Sequence, residues 1–165
     1  FNSGDLVRSQ GFSHIAFVDR LGDTFRWKGE NVATTEVEAA VDSCDQIEQS
    51  VVYGVEVPDT DGRAGMAAVV LAAGVTELDG AELARVVTAQ LPAYAVPLFV
   101  RIVDQLEQTS TFKNRKVELR QEGFEKVGGD PLFAYRGAAE GYVPVNPDAA
   151  AAFASDVAAG KAPRG

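Results

Sequence analysis

An α+β fold is predicted for this chain by two observations. Strand-like and helix-like segments are mixed along its 165 residues, and the links between strands are of hairpin length rather than the longer crossovers of a doubly wound parallel sheet. A small antiparallel or mixed sheet with flanking helices is the architecture this order implies. The length suits one domain of ordinary size, and 46% hydrophobic with 24% charged residues is the balance of a globular chain rather than a disordered one.

The elements follow in order. Phe12 to Val18 alternates as a strand does, and Thr24 to Lys28 alternates again. Asp19-Arg20-Leu21-Gly22-Asp23 reads as a tight connection between them, with Gly22 free to take a positive φ. Thr35 followed by Glu38 is a capping-box signal, and Val37, Ala40, Val41 and Cys44 then line one face of a helix over about 35–44. Cys44 on that face reads as a small core residue.

Ser50 to Val57 reads as a buried strand closed by Pro58-Asp59-Thr60-Asp61-Gly62, with Gly65 to Leu71 as its antiparallel partner. Leu83, Val86, Val87 and Leu91 outline a second helix over 80–91, which Pro92 stops. Leu98 to Val103 is another strand candidate, and Lys113 to Gln121 a short helix. Asn146 as N-cap, Pro147 at the first position and Gly160 after the end outline a last, Ala-rich helix with Phe153 and Val157 on one side. That helix is marginal unless it docks.

Composition removes several function classes. The longest apolar run, Met66 to Val75, is about half of what a membrane span needs. No basic-then-apolar leader segment is visible. Cys44 and His14 are each the sole residue of their kind, which leaves neither a disulfide framework nor a Cys/His zinc site. A formal charge of −9 argues against nucleic acid as a partner. Residues 41–100 hold two basic residues, Arg63 and Arg85, against nine acidic ones, so Lys113-Asn114-Arg115-Lys116 is the one basic cluster on an acidic chain. It reads either as a solvated helix face or as an anion contact.

The residues alone compose no active site. There is no Ser-His-Asp set, since the only histidine, His14, sits mid-strand, and neither a GxGxxG nor a Walker loop occurs.

Three segments carry a resemblance. The block from Val18 to Glu38, especially Gly22-Asp23-Thr24-Phe25-Arg26-Trp27-Lys28-Gly29-Glu30-Asn31-Val32, resembles the hinge region of the adenylate-forming enzymes, in the wording of the fatty-acid transport protein and very-long-chain acyl-CoA synthetase branch. Ser3-Gly4-Asp5-Leu6 resembles the element that precedes that hinge. Leu91-Pro92-Ala93-Tyr94-Ala95-Val96-Pro97 and Thr109-Ser110-Thr111-Phe112-Lys113 resemble the last two motifs, in order.

The resemblance implies the C-terminal lid domain, including an N-terminal β-hairpin, of an ATP-dependent fatty acyl-CoA ligase. Residues 1–19 would then end the large domain, 20–145 form the lid and 146–165 an Ala-rich tail. The lid's partner would be its own N-terminal adenylation domain, which holds the phosphate loop and acyl pocket, so the chain alone would be inactive. ATP, Mg2+ and coenzyme A would serve the intact enzyme with a fatty acid, none of them held tightly by this chain. The intact protein would be cytoplasmic, peripheral at a membrane.

Residue by residue, the resemblance implies that Asp5 accepts from the ribose hydroxyls and that Arg20 contacts ribose or phosphate. Leu21, Gly22 and Asp23 would form the hinge, with Gly22 where relatives carry Asp or Lys. Lys113 would be the catalytic lysine of adenylation, with Lys116 one turn on as the alternative. Lys28, Gly29 and Glu30 would line the coenzyme A passage, and Arg26 and Asn31 would approach the adenylate. Trp27 reads as a core aromatic. Two other readings stand beside this one: a non-catalytic interaction module of the same fold, and a ligase for an aryl or other carboxylic acid.

Overall fold

The structure, a computed structural model, describes residues 5–9, 15–20, 24–60, 62–106 and 112–161. Two short antiparallel pairs precede a five-stranded sheet. The first joins β1 (Asp5–Ser9) to β2 (Ile15–Arg20), and the second joins β3 (Thr24–Trp27) to β4 (Glu30–Ala33). The segment 19–23 therefore does not link two paired strands, as its turn chemistry suggests. β2 runs on through Asp19 and Arg20 and pairs backward, while β3 pairs forward.

Helix α1 (Thr34–Asp42) leads into the main sheet. Its N-cap is Ala33, which makes no side-chain cap, so the predicted capping box is not formed. Glu38 is taken elsewhere: its Oε1 accepts the Val52 amide at 2.9 Å and lies 3.9 Å from Lys116 Nζ. The predicted apolar face is correct, with Val37, Ala40, Val41 and Cys44 all buried.

β5 (Ile47–Glu56) and β6 (Arg63–Leu71) form the long antiparallel pair, β5 starting three residues before the predicted strand. Helix α2 (Gly80–Gln90) then carries the chain over so that β7 (Phe99–Ile102) lies parallel to β6. Helix α3 (Phe112–Glu122) returns it to β8 (Leu132–Tyr135), antiparallel to β7, and β9 (Tyr142–Val145) closes the sheet antiparallel to β8. The last two strands have no counterpart in the sequence prediction. The sheet is mixed, as expected, and its order is β5-β6-β7-β8-β9.

Helices α1, α2 and α4 dock by the stripe that their spacing provides. Asp79 caps α2 by accepting the Ala81 and Glu82 amides at 3.1 Å, and the Gln46 side chain in turn holds Asp79's backbone. Gly80 permits a very close approach of α2 to β9, since a Cβ there would stand 1.8 Å from the Tyr142 carbonyl oxygen. Helix α4 (Pro147–Ala158) buries Ala150, Phe153, Ala154 and Val157, so the helix that is weak in isolation is held by packing. Phe99 stacks on Phe124 at 4.7 Å and meets Phe153 edge-on at 6.3 Å, tying β7 to α4.

Candidate functional site

The β3–β4 hairpin presents five of the predicted site residues. Phe25, Trp27 and Val32 point inward, which confirms Trp27 as core, and Arg26, Glu30 and Asn31 point outward. Arg26 and Asn31 are cross-strand partners, and Arg26 Nη1 donates to Asn31 Oδ1 at 3.5 Å. Two residues, Lys28 at φ 51° and Gly29 at φ 82°, make the turn. Positive φ at both positions is the signature of the I′ hairpin turn, whose twist matches that of the flanking strands.

The hairpin is seated on the main sheet by a glycine pair. Gly54 of β5 and Gly65 of β6 stand directly opposite each other, and Phe25 fills the space above both. A Cβ on Gly54 would lie 2.7 Å from Phe25 Cβ, so only glycine accommodates the ring there. Gly62 likewise lies under the Arg26 carbonyl and the Trp27 ring. Beside the turn is a groove of about 410 Å³, walled by Arg26, Trp27, Lys28, Gly29, Thr60, Gly62 and the end of α4 at Val157 and Ala158. Lys28 Nζ stands 5.8 Å from the Trp27 ring centre. The groove thus combines two cationic side chains with an apolar wall, which suits a ligand with anionic and apolar parts.

Lys113 is the second residue of α3. The basic cluster that contains it is not simply a solvated face. Lys116 is only 12% exposed and lies 3.9 Å from Glu38 Oε1 and 3.5 Å from Thr34 Oγ1. Arg115 reaches Glu118 at 3.4 Å and Glu122 at 3.9 Å. At the far end of α3, Glu122 pairs with Arg101 of β7, which is 4% exposed and also donates to Asp130 at 2.8 Å and to the Val127 carbonyl at 3.5 Å. Burial opposes the Arg101 charge, but the bonds to Glu122 and Asp130 outweigh it and raise its pKa. Sequence reasoning missed this network; the one available signal was a lone arginine in the apolar run Leu98 to Val103.

Asp5 and Arg20 fall on the same rung of the β1–β2 pair, directly opposite in register. Leu21, Gly22, Asp23 and His14 lie outside the described residues. Tyr94, in the motif before β7, is exposed at a 3-10 turn over Ala93–Ala95. Among the described residues no three His, Cys, Asp or Glu side chains gather as a metal site. None of the helices among these residues is long and apolar enough to cross a membrane.

Comparison with known proteins gives this geometry a family. Residues 36–113 match the AMP-binding enzyme C-terminal domain, a match that ends on Lys113. Over residues 36–113 the chain thus belongs to this family of AMP-binding enzyme C-terminal domains. As such a domain it is 55% identical, along its whole length, to the medium/long-chain-fatty-acid–CoA ligase FadD6 of Mycobacterium tuberculosis, covering 27% of that protein. It is 49% identical over 146 residues to the human long-chain fatty acid transport protein 5, covering 88% of this chain and 21% of the relative. This C-terminal domain thus spans about a quarter of the length of the curated relatives it matches. Among solved structures, ATP-bound MatB from Rhodopseudomonas palustris superposes with a TM-score of 0.61 at 29% identity, over 72% of this chain and 23% of that one. The α+β fold with its mixed sheet is therefore that of the adenylate-forming C-terminal domain.

Proposed function

We propose that the intact protein carrying this chain is an ATP-dependent fatty acyl-CoA ligase and that this domain is the lid of its active site. The observation that carries the reading is the match, along the whole chain, to a medium/long-chain-fatty-acid–CoA ligase. In the first half-reaction a fatty carboxylate oxygen attacks the α-phosphorus of ATP, and pyrophosphate leaves. In the second the coenzyme A sulfur attacks the acyl carbon, the thiol proton goes to solvent, and AMP leaves. The residues of the chain work by position and charge.

Lys113 is assigned the first half-reaction, where an ammonium offsets the negative charge building on the carboxylate and α-phosphate oxygens. The tie of Lys116 to Glu38 and Thr34 supports Lys113 over its neighbour. Asp5 and Arg20 are assigned to the nucleotide, Asp5 accepting from ribose hydroxyls and Arg20 donating to ribose or phosphate; their shared rung supports their acting together. Arg26 and Asn31, already joined, are assigned to the adenylate. Lys28, Gly29 and Glu30 are assigned to coenzyme A, and the groove beside the turn supports that role.

In this reading residues 1–19 end the large domain, 20–145 are the lid, hinged at Leu21, Gly22 and Asp23, and 146–165 are its tail. The lid meets its own N-terminal adenylation domain, ATP arrives with Mg2+, and the intact protein works from the cytoplasmic side, peripheral to a membrane. The deciding experiment is Lys113→Ala in the intact protein, with pyrophosphate release and thioester formation from supplied acyl-adenylate measured separately. Loss of the first with retention of the second is expected; unaltered pyrophosphate release removes Lys113 from the mechanism.

A further inference from the structure

Helix α3 carries Lys113, and over its described side chains, 115–122, it has little apolar grip on the fold. In its described face Leu119 is the one buried hydrophobic residue, and Val117 is 46% exposed. What crosses from the helix to its neighbours is charge. Lys116 joins Glu38 of α1, and Glu122 joins buried Arg101 of β7. The two anchor points are six residues apart, or roughly 9 Å along the helix axis. One apolar contact leaves a helix free to turn about its axis; two charged contacts at separate heights do not.

The partners are themselves fixed. Glu38 is held by the Val52 amide of β5, and Arg101 by Asp130 and the Val127 carbonyl. An arginine fork accepts partners only in a narrow set of directions, so Arg101 sets the azimuth as well as the height of Glu122. Arg115 also reaches Glu122, so the same carboxylate links the helix to itself and to the sheet.

We propose that Glu38, Arg101, Glu122 and Lys116 are positioning residues for the adenylation half-reaction, acting by fixing the rotation and height of α3 and hence the station of Lys113. The inference rests on the assignment of Lys113 above and deepens it. None of the four touches the reacting atoms in this account. Their loss displaces the helix within an intact fold and leaves the surface that serves coenzyme A, on the β3–β4 hairpin, unaltered.

The test uses the intact protein with the variants Glu122→Gln, Glu38→Gln, Lys116→Met and Lys116→Arg, and Lys113→Ala as control. Pyrophosphate release and thioester formation from supplied acyl-adenylate are assayed apart, each with a thermal melt. Glu122→Gln, Glu38→Gln and Lys116→Met are expected to slow adenylation about tenfold to a hundredfold, the scale of a displaced catalytic group, through kcat rather than KM. Thioester formation stays within about twofold of the parent. Lys116→Arg, which keeps a cation for Glu38, is expected to restore adenylation; a catalytic lysine tolerates no such exchange. Equal loss of both half-reactions, or no loss in either while Lys113→Ala abolishes adenylation, overturns the proposal. An unaltered Lys113→Ala overturns the underlying assignment instead, so the two failures are distinct.

Discussion

Lys28 and Gly29 occupy the same left-handed region of backbone space, yet only one of them does so without strain. A Cβ on Gly29 would meet nothing within 4 Å, so its identity is demanded by φ and not by crowding. Gly29→Ala is therefore expected to destabilise the domain by about 1 kcal/mol, read from chemical denaturation. Lys28 is the opposite case. Replacing it by glycine relieves the strain and is expected to leave stability unaltered or raised by about 0.5 kcal/mol. If the ammonium serves coenzyme A, the same variant raises the KM for coenzyme A in the intact protein. A strained residue whose removal helps the fold but harms binding is one retained for its chemistry.

Among the elements, those whose signals are local were legible. Helix α4 is bounded by Asn146, whose Oδ1 accepts the Ala149 amide at 2.7 Å, and by Gly160 at φ 75°. Gly160 donates to Val157 and Lys161 to Asp156, which completes a Schellman ending. Asn146→Ala is expected to lower stability by about 1 kcal/mol, measured by thermal melting. Gly80→Ala is a harsher change, because backbone at Tyr142 cannot yield as a side chain tip does; a loss of about 3 kcal/mol or more is expected in the same measurement.

The elements that were not legible are short or break the usual pattern. All four residues of β8 are buried, so nothing alternates, and β9 contains Pro144, which argues against a central strand but is tolerated on an edge. The capping-box motif failed because the helix starts before Thr35, with Ala33 as its N-cap, while Glu38 meets β5 and α3, partners distant in sequence. The site divides in the same way. Motif order marked Asp5, Arg20, the hairpin and Lys113, whereas the Arg101, Glu122 and Asp130 network joins residues up to 29 positions apart and left no local pattern.

At the scale of the whole molecule, buried phenols set the alkaline limit. Burial raises the pKa of Tyr53 and Tyr142 above the ordinary 10.0, and Tyr142 also donates to the Pro97 carbonyl at 2.8 Å. A folded pKa above the unfolded one means stability that is whole below about pH 10 and is lost as the pH climbs toward the folded values. Alkaline titration is expected to release the phenolate absorbance of these residues together with the loss of far-ultraviolet circular dichroism; phenolate signal from an intact fold counts against it. The net charge of −9 also looks different from inside, since Arg115 and Lys116 are spent on the domain's own carboxylates.

Strand order in the main sheet repeats chain order without exception, β5 through β9. Each strand pairs with the strand made just before it, across a short loop for β5–β6 and β8–β9 and across a helix for β6–β7 and β7–β8. The latter two pairs close only after that helix has been laid down between them, the costlier steps in loop entropy. The sheet can therefore grow forward from β5 as the polypeptide lengthens, each new strand adding to the edge left by the one before it. Growth of the sheet without any reordering of its strands is the kinetic counterpart of that topology.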